Sequence, residues 1–426
     1  MKTLIIAAIL VAFAFLGAPL FSIIGSIALL AFQGEGIDIS AVIVELYRLS
    51  SAPTLIAIPL FTFAGYLLAE SKAPQRLVAL SQAFFGWIPG GLAIVALISC
   101  AVFTAFTGAS GVTIVALGGL LYPILLKEQY TEKFSLGLLT TSGSLGLLFP
   151  PSLPIILYGL VAEISIDKLF AAGILPGILL VTVLSVYSIR QSSATHVHRI
   201  PFEWKNVRSS VRNAIWELPL PFLIIGGIYL GWFTATEAAT ITAFYVLVVE
   251  VFIYRDLKLF SDVPRVMQES MVLVGAILMI LGCAMGLTNY LIDQEVPMKL
   301  FEWIRAFIGS KAVFLILLNI FLIIVGMMMD IFSAIIVVVP LIIPIATAYE
   351  VDPVHLGIIF LANLEIGYLT PPVGLNLFIS SFRFSKPITT VVKSVLPFIL
   401  ILLAALAIIT YVPELSLWLV NAMQVQ

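Results

Sequence analysis

The sequence predicts an all-α, polytopic membrane protein built from two inverted repeats, and three observations carry that prediction. Hydrophobic residues fill 61% of the 426 positions and charged residues only 10%, a balance that soluble globular chains do not hold. The apolar runs approach twenty residues, the length of a membrane-crossing helix, and lack the ten-residue alternation of barrel strands. Two of those runs are interrupted by Pro-Pro pairs in similar surroundings, TTSGSLGLLFPPSLP over 140–154 and NLEIGYLTPPVGLN over 363–376.

Taken in order, apolar runs predict crossings at 4–32, 53–71, 132–162, 168–190, 216–232, 236–254, 271–291, 355–380 and 391–412. The first is too long for a signal-peptide core and reads as a retained helix. Blocks 90–127 and 312–347 are too long for one span and short for two. Each has a small or polar centre, Thr107–Gly111 in the first and Asp330–Ser333 in the second. Such a block reads as a re-entrant hairpin whose tip stops near the midplane; two short tilted spans are the alternative. The two Pro-Pro runs read as discontinuous helices, because Pro150, Pro151, Pro371 and Pro372 each remove a backbone donor. Segments 74–86 and 297–309 are amphipathic and suit helices lying in the interface. The polar stretch 191–215 reads as a linker, and its His196-x-His198 pair has no third ligand nearby. Cys100 and Cys283 sit in apolar runs and read as packing.

A repeat emerges when the chain is compared with itself. At a shift of 223 residues, PQRLVALSQAFFG (74–86) lies on PMKLFEWIRAFIG (297–309), and Ser110 falls on Ser333 with Thr107 on Asp330. At a shift of 221, Gly146 meets Gly367 and Pro150-Pro151 meets Pro371-Pro372. The frame gives a first repeat over about 38–190, a cytoplasmic linker at 191–215, connecting helices over 216–260 and a second repeat over about 261–412, all in one membrane domain. The number of crossings between equivalent helices is odd, so the repeats are inverted. Sixteen of the 21 basic residues fall on one side, which predicts a cytoplasmic N-terminus and an external C-terminus.

No enzyme constellation is present: there is no His-Glu-x-x-His, Walker A or Gly-x-Ser-x-Gly sequence. Neither is there a composition that would suit nucleic acid. Oxygen ligands beside broken helices are present instead, as a hard cation such as sodium requires. One candidate sodium site combines Thr107, Gly108 and Ser110 with Thr141, Ser142, Gly143 and Ser144. A second combines Asp330 and Ser333 with Thr370, Gly374 and Asn376. Asp330 and Ser110 equally suit helix caps. Glu365 reads as a packing hydrogen-bond partner, Glu237 as a first-turn acid beside a Thr cap, and His355 as a solvated or capping residue.

With those residues in view, IPLFTFAGYLL (58–68), FTGASG (106–111), GSLGLLFPPSLPIILYG (143–159), GWFTATEAA (231–239) and NLEIGYLTPPVGLNLF (363–378) resemble the large permease subunit of tripartite ATP-independent periplasmic (TRAP) transporters. The resemblance spans nearly the whole chain, and Leu147-Leu148-Phe149 departs from the family's usual stretch. It implies the ion-transporter fold with elevator movement and sodium-driven import of a small organic acid, a carboxylate, across the bacterial inner membrane. It also implies two partners, a periplasmic substrate-binding protein and a small four-helix membrane subunit, for whose fusion 426 residues leave no room. It implies no cofactor other than sodium as coupling ion, and places Pro150, Pro151, Pro371 and Pro372 in the substrate region. A stand-alone sodium-coupled dicarboxylate symporter of the same fold is the alternative.

Overall fold

A computed structural model of the chain describes residues 18–194 and 202–422, together with Ala12, Phe13 and Leu16. Most of the first predicted span before Leu20, and the His196/His198 pair, lie outside the described residues. The described chain is helical throughout. Eight helices are long and apolar enough to cross a membrane, or nine if one bent pair counts as a single span.

Helices α1 (Leu20–Gly34) and α2 (Ser40–Ser50) open the described chain. No apolar run predicts α2, because its short run is cut by Glu45 and Arg48. Helix α1 starts after Pro19, within the predicted run 4–32. After a 3-10 turn come α3 (Ala57–Glu70) and the amphipathic α4 (Ala73–Phe85). The first hairpin is α5 (Gly91–Thr107) and α6 (Ser110–Lys127), the latter with a π turn at Ile114–Gly118. The first broken helix follows as α7 (Glu132–Ser142), a 3-10 turn at Leu145–Leu148 and α8 (Leu153–Ala162), bent by 44°. Helix α9 (Ile166–Ala194) closes the first repeat.

The predicted linker is not all loop, since it holds helix α10 (Trp204–Asn213). Two connecting helices follow, α11 (Pro219–Tyr229) and α12 (Ala235–Ile253). Helix α12 begins with a capping box in which Glu237 and Thr234 bond each other's backbone N–H, as its sequence suggests.

The second repeat runs through α13 (Asp262–Asp293), the amphipathic α14 (Val296–Phe307) and a hairpin of α15 (Lys311–Met328) with α16 (Ile331–Ala348). A second broken helix follows, α17 (Pro353–Gly367) and α18 (Leu375–Arg383), then α19 (Ile388–Tyr411). A final unanticipated helix, α20 (Glu414–Ala422), packs on α9.

The repeats therefore match in order, with α2 and α3 standing where the second repeat has the single helix α13, but the register needs one correction. The interfacial helices and the hairpins are joined by five residues in the first repeat (86–90) and three in the second (308–310). The change in shift falls in that loop, where extra residues are tolerated best, and so precedes the hairpin tips. Thr107 then corresponds to Met328 and Ala109 to Asp330. The pairing of Thr107 with Asp330, and of Ser110 with Ser333, does not hold.

Helices group by what they bury. One group joins α1, α2, α3, α12 and α13. Its close approaches use glycine: Gly282 stands against Leu46 and Gly286 against Val42 on α2, and Gly25 against Cys283. The other group holds both hairpins and both broken helices. Within each repeat the first arm packs on its own broken helix, α5 on the α7 break and α15 on α17. The second arms cross over: α16 packs on α8 and α6 on α18. The inward halves of the two repeats are thereby interlocked.

Candidate functional site

Both tips end where a helix unwinds. In the first repeat α5 stops at Thr107 because Gly108 takes a left-handed φ of 64°. A Cβ there would come within 2.6 Å of Leu153 Cβ, at the first residue of α8. In the second repeat the Gly374 N–H, at the start of α18, donates to the Met327 carbonyl at 3.2 Å. Each tip thus stands at the N-terminus of the second half-helix of its own repeat, the end carrying free N–H groups and a partial positive charge. Each tip touches the break of its own repeat, an arrangement that suits a re-entrant hairpin. Both Pro-Pro bonds, Pro150-Pro151 and Pro371-Pro372, are cis. The first pair is buried and the second exposed.

The first candidate set is brought together. The Thr104 hydroxyl donates to the Gly143 carbonyl at 2.8 Å and lies 2.6 Å from the Thr113 hydroxyl. Neither threonine was singled out from sequence, because each sits in an apolar run where a hydroxyl usually bonds back within its own helix. A Cβ on Gly143 would lie 3.3 Å from the Ser110 carbonyl, so this stretch of backbone must pass close to the tip. Ser142 and Ser144 bond back to Leu139 and Thr141 carbonyls. Thr107 Oγ1 and Thr141 Oγ1 are buried without a hydrogen-bond partner, as is Ser152 Oγ beside the break. Orphaned buried hydroxyls are uncommon, and each costs about 1–3 kcal/mol where nothing meets it. Lone pairs left open at a tip and at a break fit the oxygen-rich surroundings of a hard cation.

The second set is only partly assembled. Asp330 caps α16, accepting from the Phe332 and Ser333 N–H groups at 3.0 Å each and from the Ser333 hydroxyl. It is exposed rather than buried. Thr370 donates back to the Ile366 carbonyl at 2.8 Å. Asn376 leaves this group altogether: its Oδ1 accepts from Ser110 Oγ, across the repeat boundary, at 2.8 Å. That bond follows from the crossing of second arms, which no local sequence signal encodes. Asn376 Nδ2 and Ser380 Oγ on α18 remain buried and unpartnered, so open polar atoms persist on α18 beyond the contact with the first hairpin.

Other readings change with burial. His355 is neither solvated nor a cap; it is buried, with Nδ1 3.2 Å from Ser416 Oγ and Nε2 3.3 Å from the Thr410 carbonyl. Asp352 supplies the cap of α17 instead. Glu365 is 1% exposed, and its Oε1 has no partner among the described residues, so the expected packing bond is not made by that oxygen. A cavity of about 390 Å³ lies against Pro150 and Phe106. Its walls are otherwise aliphatic apart from Thr182 and Phe149, with no charged side chain.

An all-α membrane protein with two interlocked inverted repeats, paired re-entrant tips and paired helix breaks belongs to the class of secondary transporters. Comparison with known proteins narrows the class. The family model for the DctM component of tripartite ATP-independent periplasmic transporters matches residues 4–415. A C4-dicarboxylate TRAP transporter large permease protein, DctM, of Pseudomonas aeruginosa is 36% identical over 401 residues, covering 93% of this chain and 92% of that protein. An ectoine TRAP transporter large permease protein, TeaC, of Halomonas elongata is 31% identical, covering 98% of each. The YdaH transporter of Alcanivorax borkumensis shares the fold at a TM-score of 0.65 and 13% identity, over 90% of this chain and 88% of that one. The chain belongs to the TRAP transporter large permease (DctM) family.

Proposed function

We propose that the chain is the permease of a sodium-driven importer of a small organic acid in a bacterial inner membrane. Substrate would be delivered by a periplasmic binding protein, with a small four-helix membrane subunit beside the permease. The observation that carries this reading is the set of buried, unpartnered oxygens at Thr107 on the first tip and at Thr141 and Ser152 beside the first break. Sodium enters as co-substrate. Thr107, Gly108, Ser110, Thr141, Ser142, Gly143 and Ser144 would hold one ion through hydroxyls and freed carbonyls. Asp330, Ser333, Thr370 and Gly374 would hold a second, with Asn376 bridging to the first tip. The positive dipole ends at the starts of α8 and α18 would face the substrate carboxylate, beside Pro150, Pro151, Pro371 and Pro372. The group built on α1, α2, α3, α12 and α13 would stay fixed while the interlocked group carries the site across. The basic-residue bias puts the N-terminus in the cytoplasm and the C-terminus in the periplasm.

The relatives' printed substrates, C4-dicarboxylate and ectoine, differ enough that neither name is carried over. Proteoliposomes holding the permease with both partners provide the test. Uptake of the acid found by thermal-shift screening of the binding protein should require an inward sodium gradient. Equal uptake in potassium, driven by a proton gradient, overturns the reading.

A further inference from the structure

We propose that α10, with the aromatic residues around it, is a binding surface for anionic phospholipid headgroups. At about 100° per residue, Lys205, Arg208 and Arg212 fall within about 60° of arc on this helix. All three are exposed. Among the described residues none of them forms an ion pair. The acid on this segment, Glu203, lies elsewhere around the helix and accepts from Asn206 Nδ2 at 3.0 Å. Val207, on another side, is buried, and Asn206, Ser209 and Ser210 line a cleft of about 320 Å³ shared with Gln82 of α4. The helix is therefore seated on α4 by one side and presents its basic stripe outward.

Beside the stripe stands an aromatic edge. Trp204 is 75% exposed and Trp87 49% exposed, and Phe202 packs edge-on between them with ring centroids 5.5 and 6.1 Å apart. Amphipathic rings at that depth sit at the headgroup level of a bilayer. Cations without counter-charges next to exposed Trp and Phe form the pattern of a helix lying on an anionic membrane surface. A phosphate-bearing headgroup supplies the missing charge, and the acyl chains meet the rings. The naming of the cytoplasmic leaflet rests on the orientation proposed above, whereas the lipid preference does not.

Because α10 rests on α4, which leads into the first hairpin, bound anionic lipid would hold that arm at a fixed depth. The probe is phosphatidylglycerol against phosphatidylcholine, with the permease and its small subunit in mixed nanodiscs, and lipid retention read by native mass spectrometry. The wild type should enrich phosphatidylglycerol, with the enrichment lost at high salt. The triple variant Lys205→Gln, Arg208→Gln, Arg212→Gln should lose that enrichment by roughly fivefold for each charge removed. The charge-conserving variant Lys205→Arg, Arg208→Lys, Arg212→Lys should keep it, as should a control triple at Lys127, Lys133 and Lys258. Equal enrichment in wild type and the neutral triple overturns the proposal, and so does an equal loss in the control triple. Labelling of Ser209→Cys from the periplasmic side would move the surface to the other leaflet and refute the orientation, while leaving the lipid result to stand by itself.

Discussion

Two threonines and one aspartate separate an ion ligand from a structural group at the scale of single residues. Thr107 and Thr141 carry buried hydroxyls that no protein group meets. Replacing an orphaned hydroxyl with a methyl group of the same shape removes a cost rather than a bond. Thr107→Val with Thr141→Val should therefore leave thermal stability unchanged or raise it, while the sodium concentration for half-maximal uptake rises at least about tenfold. Lowered stability with unchanged sodium dependence would make both hydroxyls structural. Asp330 behaves differently because its carboxylate already accepts three hydrogen bonds as a cap. Asp330→Asn keeps a capping oxygen and removes the charge. Since the group is exposed, the loss of one charge-assisted contact should sit at the low end, about tenfold in half-saturating sodium. A variant that loses only stability, by the roughly 0.5–2 kcal/mol a cap contributes, would exclude Asp330 from the ion site.

The element scale is where the two repeats cease to be alike. In the first, α4 is fixed to the connecting helices by Arg76, which bonds Glu217, Glu250 and Asp256 together. Its guanidinium lies 3.9 Å from the Tyr254 ring centroid. Burial opposes the charge on Arg76, but the Asp256 bond and the fields of Glu250 and Glu217 outweigh it and hold its pKa above the ordinary range. The equivalent residue of the second repeat, Lys299, only donates to the Gln294 carbonyl at 2.9 Å. One amphipathic helix is thus clamped by an ion cluster, whereas the other is held by packing, Phe301 lying edge-on to Tyr349 with ring centroids 5.5 Å apart. Arg76→Ala leaves the buried carboxylates of Glu217 and Glu250 without a cation, while Asp256 keeps Lys72, a loss of about 3–5 kcal/mol. Lys299→Ala should cost under about 0.5 kcal/mol, as an exposed surface change. Denaturation midpoints of the two purified variants check the contrast, and equal midpoints would show that the clamp carries no stability.

For the whole molecule, the interlock of second arms decides what can move. Because α6 seats on α18 and α16 on α8, the two hairpins cannot shift separately without breaking the Ser110–Asn376 bond. Inverted repeats also place equivalent loops on opposite faces. Single cysteines at Glu128 and Glu350, in a background lacking Cys100 and Cys283, should label from opposite sides of the membrane. Labelling from one side would rule out the inversion. The final stretch of each repeat fits the same plan, since α9 and α19 follow their broken helices at matching places.

Composition and period determined the class by themselves, because a lipid solvent accepts few solutions: helices with internal hydrogen bonds, broken only where protein covers the break. The Pro-Pro pairs and the capping threonine at 234 act through the local backbone, so their effects were legible in order along the chain. Helix α2 was lost because a short charged helix has no hydropathic signature. The tip register was misplaced because a two-residue loop difference is invisible until both ends are fixed. What tertiary structure alone decided is which polar atoms meet. Asn376 joins Ser110 rather than Asp330, Thr104 reaches Gly143, and His355 lies buried against Ser416, in each case across elements far apart in sequence. Such pairings depend on how helices cross in three dimensions, and no spacing along one helix can specify them.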